Sequence, residues 1–285
     1  PPSGYLALCT DNLSDPEIAL PGENFNTVLY TGDGSAEAVT GVGFQPDLVW
    51  VKTRNYAENH KLFDAVRGLG SLRSNTNSAE NTDTNENLTS YDSDGFTIKD
   101  PDYIVADRTI VGWNWKGDGV AGGTLNEDGD TDSYVNVNTA AGFSIVKVTF
   151  PDALDHTFGH GLSKAPELVI GKDVEASALW WVYSKPSGNT KYLELNTNAA
   201  ASDAYEAWQD TTPSASLVYV TGGVYVTDEE FINYCFHSVE GYSKVSTYEG
   251  NGVDNGGPFV YTGFEPAVTI IKSIDQAREW WIMDN

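Results

Sequence analysis

The sequence predicts an all-β protein made of tandem antiparallel β-sandwiches, lectin-like or jelly-roll-like in type, with about 100 residues per repeat. Two observations support this prediction. Short runs rich in Val, Ile, Tyr, Phe, Trp and Thr are separated by clusters of Gly, Asn, Asp and Pro, which is the pattern of strands joined by turns. A long internal repeat accompanies these runs. Helical periodicity is nearly absent, and only residues 201–210 are expected to form one or two helical turns.

The internal repeat is defined by a proline, a lysine and an aromatic strand. In three segments a proline is followed six residues later by a lysine, and a second strand begins eight residues beyond the lysine. Proline at the head of a strand removes no ladder hydrogen bond, and the gap after the lysine suits a polar arch. These residues are therefore predicted to anchor each repeat structurally: Pro46 and Lys52, Pro166 and Lys172, and Pro266 and Lys272.

The strand between proline and lysine is predicted to be buried on both faces. In the first copy, Leu48 and Trp50 point to one side and Val49 and Val51 to the other, because side chains alternate along a strand. Both sides are apolar, which is typical of a strand inside a packed structure.

The repeat predicts how the chain is divided. Its third copy holds only the first half of the pattern, so we expect that the natural chain continues, or that another chain or the N-terminal arm completes it. The predicted parts are an N-terminal arm (1–24), a first repeat (25–117), an acidic, Gly-rich linker (118–141), a second repeat (142–240) and a partial third repeat (241–285).

Charge and composition exclude some partners. The 285 residues include 41 acidic and 16 basic ones, a net charge of −25. A field of this sign repels phosphate backbones and anionic lipids, and no run reaches the roughly 18 to 20 apolar residues of a membrane span. We expect neither nucleic acid nor membrane insertion. Cys9 and Cys235 are too few for a disulfide framework, and we expect both to be free and partly buried.

One acidic segment invites a metal hypothesis. Asp128, Asp130 and Asp132 alternate in "NEDGDTDS", as oxygen ligands do around calcium. The segment lacks the glycine and the glutamate of a complete calcium loop, so a solvated linker is the alternative. "DSDG" at residues 92–95 is predicted to be a turn, and His156 and His160 have no evident third zinc ligand. No cofactor other than calcium is proposed.

Two tandem tryptophan pairs, Trp180–Trp181 and Trp280–Trp281, occupy the same place in the repeat. Adjacent strand residues point to opposite faces, so one of each pair should fill the core and the other should meet a surface, a neighbouring unit or a ligand. An exposed tryptophan is a platform on which a sugar ring stacks, and these four residues are the candidate ligand-binding residues. Packing between repeats is the alternative.

The repeated lysines also have a catalytic and a structural interpretation. Burial can lower the pKa of a lysine, which would suit a catalytic role. Asp64 and Asp284 in the following strands instead suggest structural ion pairs with Lys52 and Lys272. No nucleophile elbow, phosphate-binding glycine loop or distinctive carboxylate pair is present. The sequence therefore predicts that the protein is not an enzyme.

Several motifs resemble a known family. "PPSGYLALCTDNL", "LYTGDGS", "VTGVGFQPDLVWVK", "LFDAVRG", "LTSYDSDGFTI" and "VGWNWKG" look like the tandem β-repeat region of virion proteins of marine tailed bacteriophages, which often follows a SPRY-type sandwich. The resemblance implies a virion structural protein located in the extracellular particle, and it implies no catalytic residues. Copy two departs from the pattern, since "TFPDALD" stands where copy one has "YTGDGS".

The function expected from this resemblance is adhesion to a host surface or particle assembly, as a tail fibre, spike or capsid decoration. Expected partners are other virion proteins, further copies of the chain (three if it is fibre-like) and a host surface glycan or protein. The alternatives are a depolymerase that degrades polysaccharide and a secreted bacterial carbohydrate-binding adhesin.

Overall fold

The computed structural model describes residues 16–203, 205–222, 228–253 and 256–285. Within these residues the chain forms several antiparallel sheets and one short helix, so the predicted all-β class is confirmed. No helix among them is long and apolar enough to cross a membrane. Cys9 and most of the predicted N-terminal arm lie outside the described residues.

The first eight strands form two sheets. The larger sheet has five strands in the order first, eighth, third, fourth and fifth, and the smaller has three in the order second, seventh and sixth. A single 3-10 turn at Pro21–Glu23 precedes them. The strands are β1 (Phe25–Thr31), β2 (Glu37–Thr40), β3 (Leu48–Thr53), β4 (Lys61–Asp64), β5 (Leu72–Arg73), β6 (Leu88–Asp92), β7 (Gly95–Ile98) and β8 (Thr109–Trp115).

These two sheets share an apolar cluster. Val49 and Val51 of β3 belong to it together with Val39 and Phe96 of the smaller sheet. Trp50, between the two valines, belongs to a different cluster on the opposite face. Strand β3 is therefore buried on both sides, as its alternating apolar residues predict.

The next ten strands form a second pair of sheets, and one short helix lies among them. The elements are β9 (Thr124–Asn126), β10 (Ser133–Asn138), β11 (Phe143–Thr149), β12 (His156–Gly159), β13 (Leu168–Asp173), β14 (Trp180–Ser184), β15 (Lys191–Glu194), β16 (Ser202–Asp203), α1 (Tyr205–Trp208), β17 (Leu217–Val220) and β18 (Glu230–Phe236). The large sheet has the order β16-β15-β14-β13-β18-β11-β10-β9, and the small one pairs β12 with β17. Helix α1 falls in the segment that is predicted to form helical turns.

Residues 118–141 are more than the predicted linker. They contain β9 and β10, and β10 pairs along its whole length with β11. Ser133 and Val135 are buried and Tyr134 is exposed, which is the alternation of a strand with one face on a core. The acidic residues that suggested a solvated segment are confined to the turn between β9 and β10.

A large apolar cluster lies between the two large sheets. It combines Trp50 and Trp113 of the first sheet with Ile170, Trp180 and Ile232 of the second. The two sheets thus pack face to face, and each also contacts its own smaller sheet on the other side.

The last two strands form a hairpin, β19 (Val268–Ile271) and β20 (Trp281–Asp284). Val268, Ile270 and Ile282 pack against the cluster between the large sheets. One face of the hairpin is therefore attached to the rest of the molecule.

Candidate functional site

The Trp180–Trp181 pair is used for packing. Trp180 is fully buried, and its Nε1 donates to the carbonyl oxygens of Arg73 at 3.1 Å and Thr76 at 3.2 Å. Trp181 points to the opposite face, where its ring lies 4.7 Å from the ring of Tyr192. The alternation of faces is confirmed, and Trp180 is the member of this pair that fills the core, where a ligand cannot reach its ring.

The Trp280–Trp281 pair differs in exposure. Trp280 is half-buried against the cluster between the large sheets, and its Nε1 donates to the carbonyl oxygen of Glu194 at 2.8 Å. Trp281 is 63% exposed. It is therefore the one of the four candidate tryptophans whose ring is open to a partner.

Trp281 belongs to an open face of the last hairpin, which we call the C-terminal face. It consists of Thr269, Ile271, Trp281 and Met283, with Ile271 paired to Trp281 and Thr269 paired to Met283. Met283 is 48% exposed. Apolar side chains on a solvent-exposed sheet face are an interaction site in many soluble proteins.

The three aspartates predicted as calcium ligands do not converge. Asp130 accepts a hydrogen bond from the backbone N–H of Thr157 at 2.7 Å, whereas Asp128 and Asp132 are exposed on the turn. Among the described residues, no group of three or more His, Cys, Asp or Glu side chains is arranged to hold a metal ion. The calcium hypothesis receives no support from this geometry.

The predicted ion pairs of the repeated lysines are wrong. In the hairpins of copies one and three, the aspartate lies opposite the first residue of the strand that ends near the lysine. Asp64 is paired with Leu48, and Lys52 lies four residues further along that strand. At about 3.3 Å per residue this separates the charges by roughly 13 Å. Asp284 opposes Val268 in the same way, four residues from Lys272.

The lysines bind backbone carbonyl groups of the arch instead. Lys52 Nζ donates to the carbonyl oxygens of Thr53 at 2.8 Å and Tyr56 at 3.2 Å. Lys172 and Lys272 likewise donate to carbonyls in the arches that follow them. Burial lowers the pKa of all three lysines, that of Lys172 to about 8. Their structural anchoring role is therefore supported by contacts with the backbone.

Sequence reasoning missed a buried ionic cluster. Arg67 binds the carboxylates of Asp64 and Glu80, and the Arg67 and Asp64 side chains are 0% exposed. Tyr234, from the second large sheet, donates its hydroxyl to Asp64 at 2.8 Å. The motif "LFDAVRG" places an aspartate three residues before an arginine, and that local spacing was the available signal. The cluster joins two parts of the chain that are far apart in sequence.

A polar cleft of about 370 Å³ lies at the end of β8. It is lined by residues that include Asp47, Ser93, Lys116 and Asp118. Burial raises the pKa of Asp47, whose carboxylate accepts hydrogen bonds from the Gly117 N–H at 2.7 Å and from Asn136 at 2.9 Å. The Asp47 carboxylate thus connects Gly117, which follows β8, to Asn136 of β10, and its role is structural.

A carboxyl pair lies elsewhere, at the end of β13. A hydrogen bond with Asp173 raises the pKa of Glu229 to about 7. Asp173 is buried, and its Oδ1 accepts the backbone N–H groups of Glu175 at 2.9 Å and Ala176 at 2.8 Å. Neither carboxyl lines the polar cleft, so the arrangement suits bracing of the strand ends better than substrate binding.

The two histidines of the "HTFGH" segment have separate partners. His156 contacts Thr131 at 2.9 Å and Asp152 at 3.1 Å. His160 is fully buried, accepts the Leu162 N–H at 3.1 Å and lies 3.2 Å from the Ser214 carbonyl oxygen. This pattern holds His160 as a neutral imidazole, and burial lowers its pKa to about 4.

We expect this histidine to make the fold acid-sensitive. Its pKa falls from 6.5 to about 4 on folding, so in that window the unfolded chain binds a proton that the folded chain does not. The free energy of unfolding should therefore fall as pH falls, by up to about 3 kcal/mol from His160. Urea unfolding of the wild type and of His160→Gln between about pH 7 and pH 4 measures it. The variant should show the smaller loss; parallel curves would contradict the assignment.

Together these features define an all-β protein of antiparallel sheets whose buried polar groups hold strands and loops in place. The chain belongs to the family described as a domain of unknown function (DUF7483), which matches residues 20–285. No curated protein and no solved structure matches the chain.

Proposed function

We propose that the chain is a structural protein of a phage virion, a tail fibre, spike or capsid decoration built of tandem β-sandwiches. The resemblance of its motifs to virion β-repeat proteins supports the virion role. The architecture supports a load-bearing role.

The tandem arrangement is supported by strand order. The first large sheet has the order β1-β8-β3-β4-β5, and the core of the second has β11-β18-β13-β14-β15. The strand numbers in the second order are each ten higher than those in the first, so the same arrangement of strands occurs twice along the chain. In both copies the large sheet shares an apolar cluster with a small sheet. We interpret each large and small sheet as one sandwich, and the C-terminal hairpin as the matching part of a third.

The observation that carries the proposed function is the apolar cluster between the two large sheets. Trp50, Trp113 and Trp180 all lie in it and are buried. Units joined by a large apolar interface resemble the two halves of one core, and such interfaces resist relative motion. A rigid stack of units suits a protein that bears load or presents a surface at a distance.

The exposed ring of Trp281 supports the adhesion or assembly part of the proposal. A tryptophan that is 63% exposed beside a half-exposed methionine offers an apolar contact to another chain. The same ring could stack a sugar, as predicted from the sequence.

Two measurements test the proposal. Sedimentation at micromolar concentration should show an oligomer, and a monomer of 30.9 kDa would count against a fibre. A glycan array with product analysis separates the alternatives. Binding without cleavage that is lost in Trp281→Ala favours the adhesion role, which a virion protein shares with a secreted adhesin, whereas reducing ends that appear with time favour a depolymerase and contradict the structural role.

A further inference from the structure

The first pair of sheets contains a lysine and an aspartate that are buried against each other. Lys61 begins β4 of the large sheet, and Asp100 lies two residues beyond β7 of the small sheet. Lys61 Nζ contacts Asp100 Oδ2 directly, and the two side chains are 2% and 0% exposed. In the other lysine–carboxylate pairs of the described residues, every side chain is at least 17% exposed. Water therefore screens those pairs but has little access to this one.

The surroundings of this pair favour its uncharged form. Lys61 and Phe63 point to the same face of β4, and Phe63 and Tyr103 belong to the apolar cluster between the large and small sheets. Lys61 Nζ lies 5.6 Å from the centre of the Tyr103 ring. Two opposite charges are costly to hold without water, so proton transfer to give a neutral amine and a neutral acid becomes accessible. Burial raises the pKa of Asp100, and Lys61 opposes this rise.

The Asp100 carboxyl group is held in one orientation. Its Oδ1 accepts the backbone N–H of Asp102 at 3.0 Å, whereas its Oδ2 faces the lysine amine. The backbone carbonyl oxygen of Asp100 accepts the N–H groups of Tyr103 at 2.9 Å and Ile104 at 3.1 Å, which fixes the loop. An N–H group aimed at Oδ1 stabilises the negative charge that develops there when a nucleophile attacks the carboxyl carbon. Two groups held in contact in this way react far faster than the same groups free in solution.

We propose that Lys61 and Asp100 become joined by an amide bond between their side chains, which the folded chain forms by itself. A proton passes from the Lys61 ammonium group to Asp100 Oδ2, and the neutral amine then attacks Asp100 Cγ. A second proton moves from the nitrogen to Oδ2, the Cγ–Oδ2 bond breaks, and one water molecule leaves. One ammonium and one carboxylate group thus become one amide and one water, and no oxidant, reductant or further reactant is needed.

This bond would connect the large and small sheets of the first pair covalently. Lys61 and Asp100 are 39 residues apart in sequence, so the bond closes a loop in the unfolded chain and lowers its conformational entropy, as a disulfide does. The inference goes beyond the proposed function and is independent of the virion role, although a covalent brace between sheets suits a unit that bears load.

Mass spectrometry of the denatured full chain tests the proposal. The measured mass should be lower than the mass of the sequence by one water molecule, because denaturation separates an ion pair but leaves an amide bond intact. After tryptic digestion, residues 55–67 should appear as one fragment linked to residues 100–108, since trypsin does not cleave after an acylated lysine. The separate fragments 55–61 and 62–67 should be lost.

Variants of the protein locate the bond. Lys61→Met removes the nucleophile and Asp100→Ala removes the carboxyl group, so each variant should have the full mass of its sequence. Lys147→Met is the matched control, because Lys147 Nζ lies 3.1 Å from Glu230 in a pair whose side chains are 24% and 31% exposed. The control should keep both the missing water and the linked fragment. The wild-type measurement stands whether or not the first two variants fold.

Three outcomes would overturn the inference. A wild-type mass equal to that of the sequence, with fragment 55–61 recovered, would show that the pair is an ion pair only. Loss of one water without the linked fragment would place the dehydration elsewhere, for example at the Asp94–Gly95 sequence. A missing water that persists in Lys61→Met would likewise exclude this lysine. Sedimentation and the glycan array do not report on the bond, so failure of the proposed function and failure of this inference are distinguishable.

Discussion

Replacing Arg67 with methionine is expected to lower the free energy of unfolding by about 3 to 5 kcal/mol. The Arg67 side chain is 0% exposed and binds the carboxylates of Asp64 and Glu80. It also donates to the carbonyl oxygen of Leu62 at 3.2 Å. Methionine keeps most of the volume but removes the guanidinium that neutralises the Asp64 and Glu80 carboxylates, and a buried charge without a charged partner is strongly destabilising. Asp64 keeps the hydrogen bond from the Tyr234 hydroxyl.

The pH dependence of the unfolding free energy of Arg67→Met distinguishes the loss of the Arg67 charge from a packing defect. Burial raises the pKa of Glu80, and Arg67 opposes this rise. Without Arg67 the Glu80 carboxyl should bind a proton on folding, so the variant should lose stability as pH rises and recover part of it in acid. A loss that is equal at all pH values would indicate a packing defect and contradict the electrostatic account.

Lys164→Met is the control for this experiment. Lys164 pairs with Glu17, and their side chains are 55% and 52% exposed. Water screens such a pair, so the expected loss is about 1 kcal/mol or less. Urea unfolding followed by tryptophan fluorescence measures both variants. Equal losses in the two would show that the burial of the Arg67 cluster contributes nothing.

Residue patterns within one strand were predictable from the sequence. The alternation of Val49 and Val51 with Trp50 predicted burial on two faces, and the structure confirms it. The same rule predicted opposite faces for Trp180 and Trp181. These predictions depend only on local geometry, since a strand turns its side chains by half a turn per residue whatever it packs against.

Relations between strands were less predictable. The ion pair between Lys52 and Asp64 failed because the hairpin register, which the spacing alone does not determine, places the two at opposite ends. The contact of Arg67 with Tyr234 joins residues 167 positions apart, so the local spacing of Asp64 and Arg67 could not identify Tyr234 as a partner. The exposure of Trp281 was also not predictable from local sequence, because it depends on which strands cover the C-terminal face, and this is determined by the sheet topology.

Replacing Trp180 with alanine is the second change with a large expected effect, a loss of about 3 to 5 kcal/mol in the free energy of unfolding. Its ring is fully buried in the cluster between the two large sheets. The carbonyl groups of Arg73 and Thr76 would also lose their indole donor. Since these carbonyls lie in the first half of the chain, amide hydrogen exchange in residues 72–76 should rise more than in β12 and β17.

Trp281→Ala is the matched comparison, and it links stability to the proposed binding role. Trp281 is 63% exposed, so its removal should change the free energy of unfolding by less than about 0.5 kcal/mol. A small loss is the result that the proposed binding role of Trp281 requires, whereas Trp180 packs between the two large sheets. Similar losses in the two variants would show that the C-terminal face is covered in solution, and a small loss in Trp180→Ala would contradict the packing of the two large sheets described above.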